Sequence, residues 1–163
     1  MPFPNQVPME PQYAETTWKL LESAIHEIYK KNASGLSFEE LYRNAYNMVL
    51  HKYGDMLYGG LRRVVDQQLR TVADAVACVP DDVFLFRLND AWHDHLQSML
   101  MIRDILMYMD RAYVAPKQLL PVYDLGLVLF CEVVAHNPDI KERLLATLLD
   151  MVFRERCGEI INR

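Results

Sequence analysis

The sequence predicts an all-α bundle of about five or six helices. Three observations carry this reading. Apolar residues recur at the helical period along most of the chain. Prolines and turn residues fall between the periodic stretches rather than inside them. Apolar/polar alternation never persists long enough to make a strand. The 163 residues suit one domain with a single sizeable core, and 52% hydrophobic residues exclude disorder of the chain as a whole.

Taken in order, residues 1–12 read as an extended N-terminal arm, because Pro2, Pro4, Pro8 and Pro11 oppose a stable helix. Phe3, Val7 and Met9 place apolar side chains on that arm. The helical domain is then assigned to residues 13–163. Its first helix, residues 13–31, is set by Trp18, Leu21, Ile25 and Ile28, and the turn chemistry of residues 32–35 ends it. Ser37 with Glu40 forms a capping box that opens a second helix, running to about Tyr53 before Gly54. A third helix over residues 55–79 uses Leu57, Leu61, Val64, Val65, Leu69, Val72 and Val76, and Pro80 stops it. Asp81 or Asp82 caps a fourth, reaching about Val114, with Phe84, Leu88, Trp92, Leu96, Met99, Ile102, Leu106 and Met109 inward. Its length leaves room for a bend or break. Residues 122–135 form a fifth helix. Asn137-Pro138 starts the last one, residues 138–156, with Ile140, Leu144, Leu148 and Val152 inward.

Composition removes several function classes. A net charge of −5 opposes both a general nucleic-acid binder and attachment to anionic membrane. No apolar run reaches membrane-spanning length, and the first residues lack the basic and apolar regions of a signal peptide. Cys78, Cys131 and Cys157 are odd in number and far apart, which fits reduced thiols in cytoplasm or nucleus. No metal or cofactor is expected. His93 and His95 diverge on a helix, whereas ligand pairs sit three or four apart; both read as surface or partly buried histidines. Glu39-Glu40 and Asp81-Asp82 meet the positive ends of helix dipoles rather than forming catalytic pairs. Gly59-Gly60 lacks the rest of a phosphate loop.

The second helix carries more apolar surface than one core requires. At about 100° per residue Leu41, Ala45 and Met48 share a narrow stripe. Phe38, Tyr42, Val49 and Tyr46 rotate away from it, widening the apolar and aromatic arc to roughly 200°. A second face is therefore left either for a partner or for a second neighbour within the bundle, Tyr46 being the residue farthest from the stripe. Tyr108 and Arg111, three apart and off the core stripe, are of the types that anchor interfaces.

The strings S-G-L-S-F-E-E-L-Y-R-N-A-Y-N-M-V-L-H-K over residues 34–52, M-I-R-D-I-L-M-Y-M-D-R-A-Y-V over 101–114, V-Y-D-L-G-L over 122–127 and L-L-D-M-V-F-R-E-R over 148–156 are long and non-repetitive. They resemble the N-terminal cullin-repeat region of cullins, scaffold subunits of multi-subunit ubiquitin ligases, and within that family the cullin three branch. The resemblance runs from about Trp18 to the end and thins over residues 67–90. It implies a cullin-repeat-like bundle, non-catalytic and monomeric when free, that docks the BTB domain of a dimeric substrate adaptor in cytoplasm and nucleus. The docking residues it implies are Leu36, Phe38, Glu39, Tyr42 and Tyr46, with Tyr108 and Arg111, and Phe3 from the arm. Leu36 and Phe38 would fill apolar pockets, Tyr42 and Tyr46 supply rigid area, and Glu39 and Arg111 set polarity at the rim. Cullins also carry a C-terminal region that binds a RING subunit, which these residues do not match. Two other readings stand beside this one: a stand-alone helical interaction module with a different partner, and a small helical enzyme. The enzyme would need a deep polar pocket built on His51, His93 or His95.

Overall fold

Residues 10–161 are described by the computed structural model, and among them the chain forms seven α-helices and no strand. Pro11 occupies the first turn of α1 (Pro11–Tyr29), where a missing N–H costs nothing, so the helix starts two residues before the sequence reading placed it. Of the expected arm over residues 1–12, residues 1–9 lie outside the described residues, and Pro11 and Gln12 belong to α1. A 3₁₀ turn (Ala33–Gly35) leads to α2 (Phe38–Leu50), where Ser37 Oγ accepts the Glu40 N–H at 3.4 Å, the N-cap bond expected of that pair. α3 (Gly54–Ala77) and α4 (Asp81–Ile105) follow.

The fourth predicted helix is broken. Leu106 adopts φ −100° and ψ 13°, ending α4, and the chain resumes as the short α5 (Met107–Met109). That segment widens at once into a π-helical turn (Asp110–Val114), in which the Ala115 N–H reaches back to the Asp110 carbonyl at 2.9 Å. Neither proline nor glycine marks the break; Leu106, Met109 and Val114 are all buried, so packing sets it. α6 (Val122–Phe130) likewise ends in a π turn (Cys131–Ala135). In α7 (Pro138–Arg156) the Asn137 Oδ1 caps Asp139 and Ile140, as its sequence predicts.

α1 packs on α2, α3 and α4; α6 lies against α3 and α4; α2 meets α5; and α7 is an outer element resting on α3 and the second π turn. The core runs through α1, α3 and α4. Trp18 and Gly60 show how close the first two of these lie: a Cβ on Gly60 would come within 2.5 Å of the indole. A glycine that weakens α3 as a helix is thus what lets α1 dock. The predicted core positions Trp18, Leu21, Ile25, Ile28, Leu57, Leu61, Val64, Val65, Leu69 and Val76 are buried.

Four expectations change. His95 is no surface histidine: it is 3% exposed. Its Nε2 lies 2.8 Å from the Gly126 carbonyl and therefore carries the proton, leaving Nδ1 to accept from the Tyr29 hydroxyl at 3.4 Å. One imidazole so links α1, α4 and α6. Asp81 does not cap α4 with its side chain. It pairs with Arg143 of α7 at 2.7 Å, and the same guanidinium donates to the Ala77 and Val79 carbonyls and covers the Phe84 ring. Leu148 and Val152 are exposed, with Leu145, Leu149 and Phe153, because α7 is fixed by its first turns, through Ile140 and Arg143. On α4, Leu88, Trp92 and Leu96 are half-buried rather than fully inward.

Burial holds the His95 imidazole below its ordinary range, the Gly126 carbonyl offsetting part of this. A folded pKa below the unfolded one gives stability that is complete above about pH 6.5 and is lost as the pH falls through the folded value. The melting temperature should therefore drop between about pH 7.5 and about pH 5.5, and drop less in His95→Gln, whose amide can still donate to Gly126 but cannot take the proton. Equal drops in thermal melts of the two proteins would remove His95 from the effect.

Candidate docking surface

α2 is buried through Leu41, Ala45 and Met48 alone, the stripe its sequence marks. Holding those three against the core turns the flanking aromatics outward. Phe38 is 37% exposed; Leu36, Tyr42 and Tyr46 are half-buried; Glu39 is exposed and bound to Arg43, one turn on, at 2.6 Å. That pair lies in water and contributes little to stability, so the Glu39 carboxylate can exchange Arg43 for another donor at small cost.

α5 supplies the other half. α5 lies beside α2, as α4 does, and the Tyr46 and Tyr108 rings meet with centroids 4.4 Å apart and planes tilted by 47°. Residues 62 positions apart in sequence thus form one aromatic ridge. Tyr108 is half-buried, and Arg111 is exposed with Nη2 3.6 Å from the Met107 sulfur, one helical turn back. The predicted positions on α2 and α5 therefore belong to neighbouring elements, joined at Tyr46 and Tyr108. Phe3 lies outside the described residues.

Other residues hold this surface in place. Tyr113, on the π turn, lies flat on the start of α3, where a Cβ on Gly54 would run into its ring. Its hydroxyl donates to Asp55, and Lys117 reaches the same carboxylate at 2.9 Å and lies over the Tyr113 ring. These two donors, the tyrosine first, hold the Asp55 carboxyl below its usual range. Behind Tyr108, the half-buried Asp110 accepts the Val122 N–H at 2.9 Å. Burial pushes its carboxyl above the usual range, and that hydrogen bond opposes the shift. Neither Asp110 nor Tyr113 was found by sequence reasoning. Their partners lie 12 and 58 residues away, beyond any local period.

The histidines do not converge. His93 is exposed, with Nδ1 2.9 Å from the Asn89 carbonyl. His51 caps the end of α2, and His95 sits in the core. A cavity of about 420 Å³ between α3 and α4 includes His95 in its lining, but its walls are largely apolar and neither His51 nor His93 reaches it.

Phe38, Tyr42, Tyr46 and Tyr108 thus make one aromatic ridge, exposed at Phe38 and half-buried at the three tyrosines, with the exposed Glu39 and Arg111 on the same two segments. The family model described as "Cullin: Cullin alpha solenoid domain" matches residues 18–163, and the chain belongs to the cullin family. Within that family it is similar to proteins named cullin-3. It is 56% identical to Cullin-3 of Dictyostelium discoideum over 94% of this chain and 20% of the relative. It is 53% identical to Cullin-3B of Arabidopsis thaliana over 99% of this chain and 22% of the relative. Against Cullin-4A of Mus musculus, identity falls to 30% over 99% of this chain and 22% of the relative. The chain spans about a fifth of the length of these relatives.

Because the Tyr46 and Tyr108 rings pack on each other, truncating one should weaken the other's contribution. A double-mutant cycle of Tyr46→Ala and Tyr108→Ala, read by urea unfolding, should give a coupling of about 0.5–1.5 kcal/mol. Additive losses would mean the rings do not support each other in solution.

Proposed function

We propose that this chain is the adaptor-docking part of a non-catalytic scaffold in a cullin-RING ubiquitin ligase, and that the ridge formed by α2 and α5 receives the BTB domain of a substrate adaptor. The observation that carries this is the contact between Tyr46 and Tyr108, which joins helices far apart in sequence into one half-buried aromatic ridge. Membership of the cullin family, and greater identity to cullin-3 proteins than to cullin-4A, support the kind of partner.

The chemistry of the surface suits this role. Phe38 and Leu36 at the N-terminal end of α2 offer apolar side chains to pockets. Tyr42, Tyr46 and Tyr108 bring large rigid area at low entropic cost, each with a polar tip. Glu39 and Arg111 carry opposite charges, which orient a partner more than they tighten it. A dimeric adaptor would carry two scaffolds of this kind, and the free chain would be monomeric; solution mass with and without the adaptor tests both. The proposed site of action is cytoplasm and nucleus. Within the ligase the chain would position substrate without reacting with it.

Tyr46→Ala should leave the fold in place and weaken binding to a BTB adaptor by about 2–4 kcal/mol, roughly thirty-fold to a thousand-fold in Kd. Leu41→Ala is the control. It empties a fully packed position and should cost about 2–5 kcal/mol of folding stability. Melting and titration on the same samples check both. A folded Tyr46→Ala protein that binds the adaptor like wild type would sink the proposal, and binding only to proteins without a BTB domain would favour a different interaction module.

A further inference from the structure

α5 contains three residues, too few to hold an orientation through its own hydrogen bonds. Yet it must present Tyr108 to α2 at a fixed distance. Leu106, Met109 and Val114 bury its inner side, but apolar packing alone tolerates rotation and sliding. Beside the exposed Tyr113–Asp55 bond, the partly buried directional contact of this turn to another helix is Asp110. Its carboxylate accepts the Val122 N–H, at the first residue of α6. Pro121, the residue before it, has no side chain able to cap α6, and the Asp110 oxygen satisfies the first of the N–H groups that the helix itself leaves free. Tyr58 donates to the Leu120 carbonyl at 3.0 Å, fixing the chain just ahead of that bond.

At about 100° per residue, Asp110 lies roughly 200° round the helix from Tyr108. The carboxylate faces α6 while the phenol faces α2, on opposite sides of the same turn. A tether on one side therefore sets where the ring stands on the other. We infer that Asp110 is a positioning residue of the docking surface, holding α5 in the register at which Tyr108 and Arg111 join Tyr46. The inference rests on the docking reading above for its consequence in binding, but not for its effect on the rings.

Asp110→Ala and Asp110→Asn should be compared with wild type, because the asparagine Oδ1 can still accept from Val122. The first readout is the NMR spectrum of labelled tyrosine rings in the free chain, where mutual ring currents report the Tyr46–Tyr108 contact. The second is titration with a BTB adaptor at a temperature where every variant is folded. Asp110→Ala should move the Tyr46 and Tyr108 ring resonances together and weaken binding by about tenfold, mostly through a faster off-rate, and Asp110→Asn should restore most of both. If Asp110→Ala fails to fold, Asp110→Glu provides the test. It keeps the charge but moves the carboxylate by one methylene, and should displace the same resonances. Ring resonances and affinity unchanged in a folded Asp110→Ala or Asp110→Glu protein, even with a lower melting temperature, would reduce Asp110 to a helix cap and overturn the inference. If wild type binds no BTB adaptor while Asp110→Ala still shifts the rings, the positioning role stands and the docking reading falls.

Discussion

What α2 buries decides which of its side chains are left at the surface. Leu41, Ala45 and Met48 occupy one narrow stripe and are nearly inaccessible. Once those three side chains are seated, the remaining rotation of the helix is determined, and Phe38, Tyr42 and Tyr46 have no core left to enter. An amphipathic helix normally keeps polar residues on its outer face. Here that face is partly aromatic, and its tolerance of water depends on tyrosine hydroxyls and on the Glu39–Arg43 pair. The core stripe and the aromatic outer face are two consequences of one helix orientation.

The second requirement is that α5 lie alongside. α4 ends at Leu106, and the chain widens into a π turn directly after Met109. Two of its own side chains tie this irregular segment to other helices. Tyr113 rests on Gly54 and binds Asp55, which ties the turn to α3 beside the end of α2. Asp110 ties it to α6. The tie to Asp55 is exposed and screened by solvent; the one at Asp110 is partly buried and directional.

Two polar residues do comparable work elsewhere. His95 is bound on both nitrogens by α1 and α6, so its neutral form is part of the core packing and not a reactive group. Arg143 takes the free carbonyls at the end of α3, pairs with Asp81 at the start of α4 and lies on Phe84. It attaches α7 at one end, which leaves Leu149 and Phe153 at the other end 68% and 67% exposed. The apolar face of α7 is thus a property of where its anchors lie, not of its composition.

The sequence by itself determined the helices and most of the core. Their period is local, and caps such as Ser37 and Asn137 act within three residues of themselves. The α2 stripe was legible for the same reason, and with it the idea of a second face. What only the tertiary structure decided involves partners far along the chain. Leu106 carries no breaker residue, so nothing nearby announces the end of α4. The burial of His95 depends on a carbonyl 31 residues away, and the ring contact that unites the docking surface spans 62 positions. Residues 148 and 152 keep the helical period of a core-facing stripe and yet face solvent, because periodicity records which side of a helix is apolar and not whether a neighbour arrives to cover it.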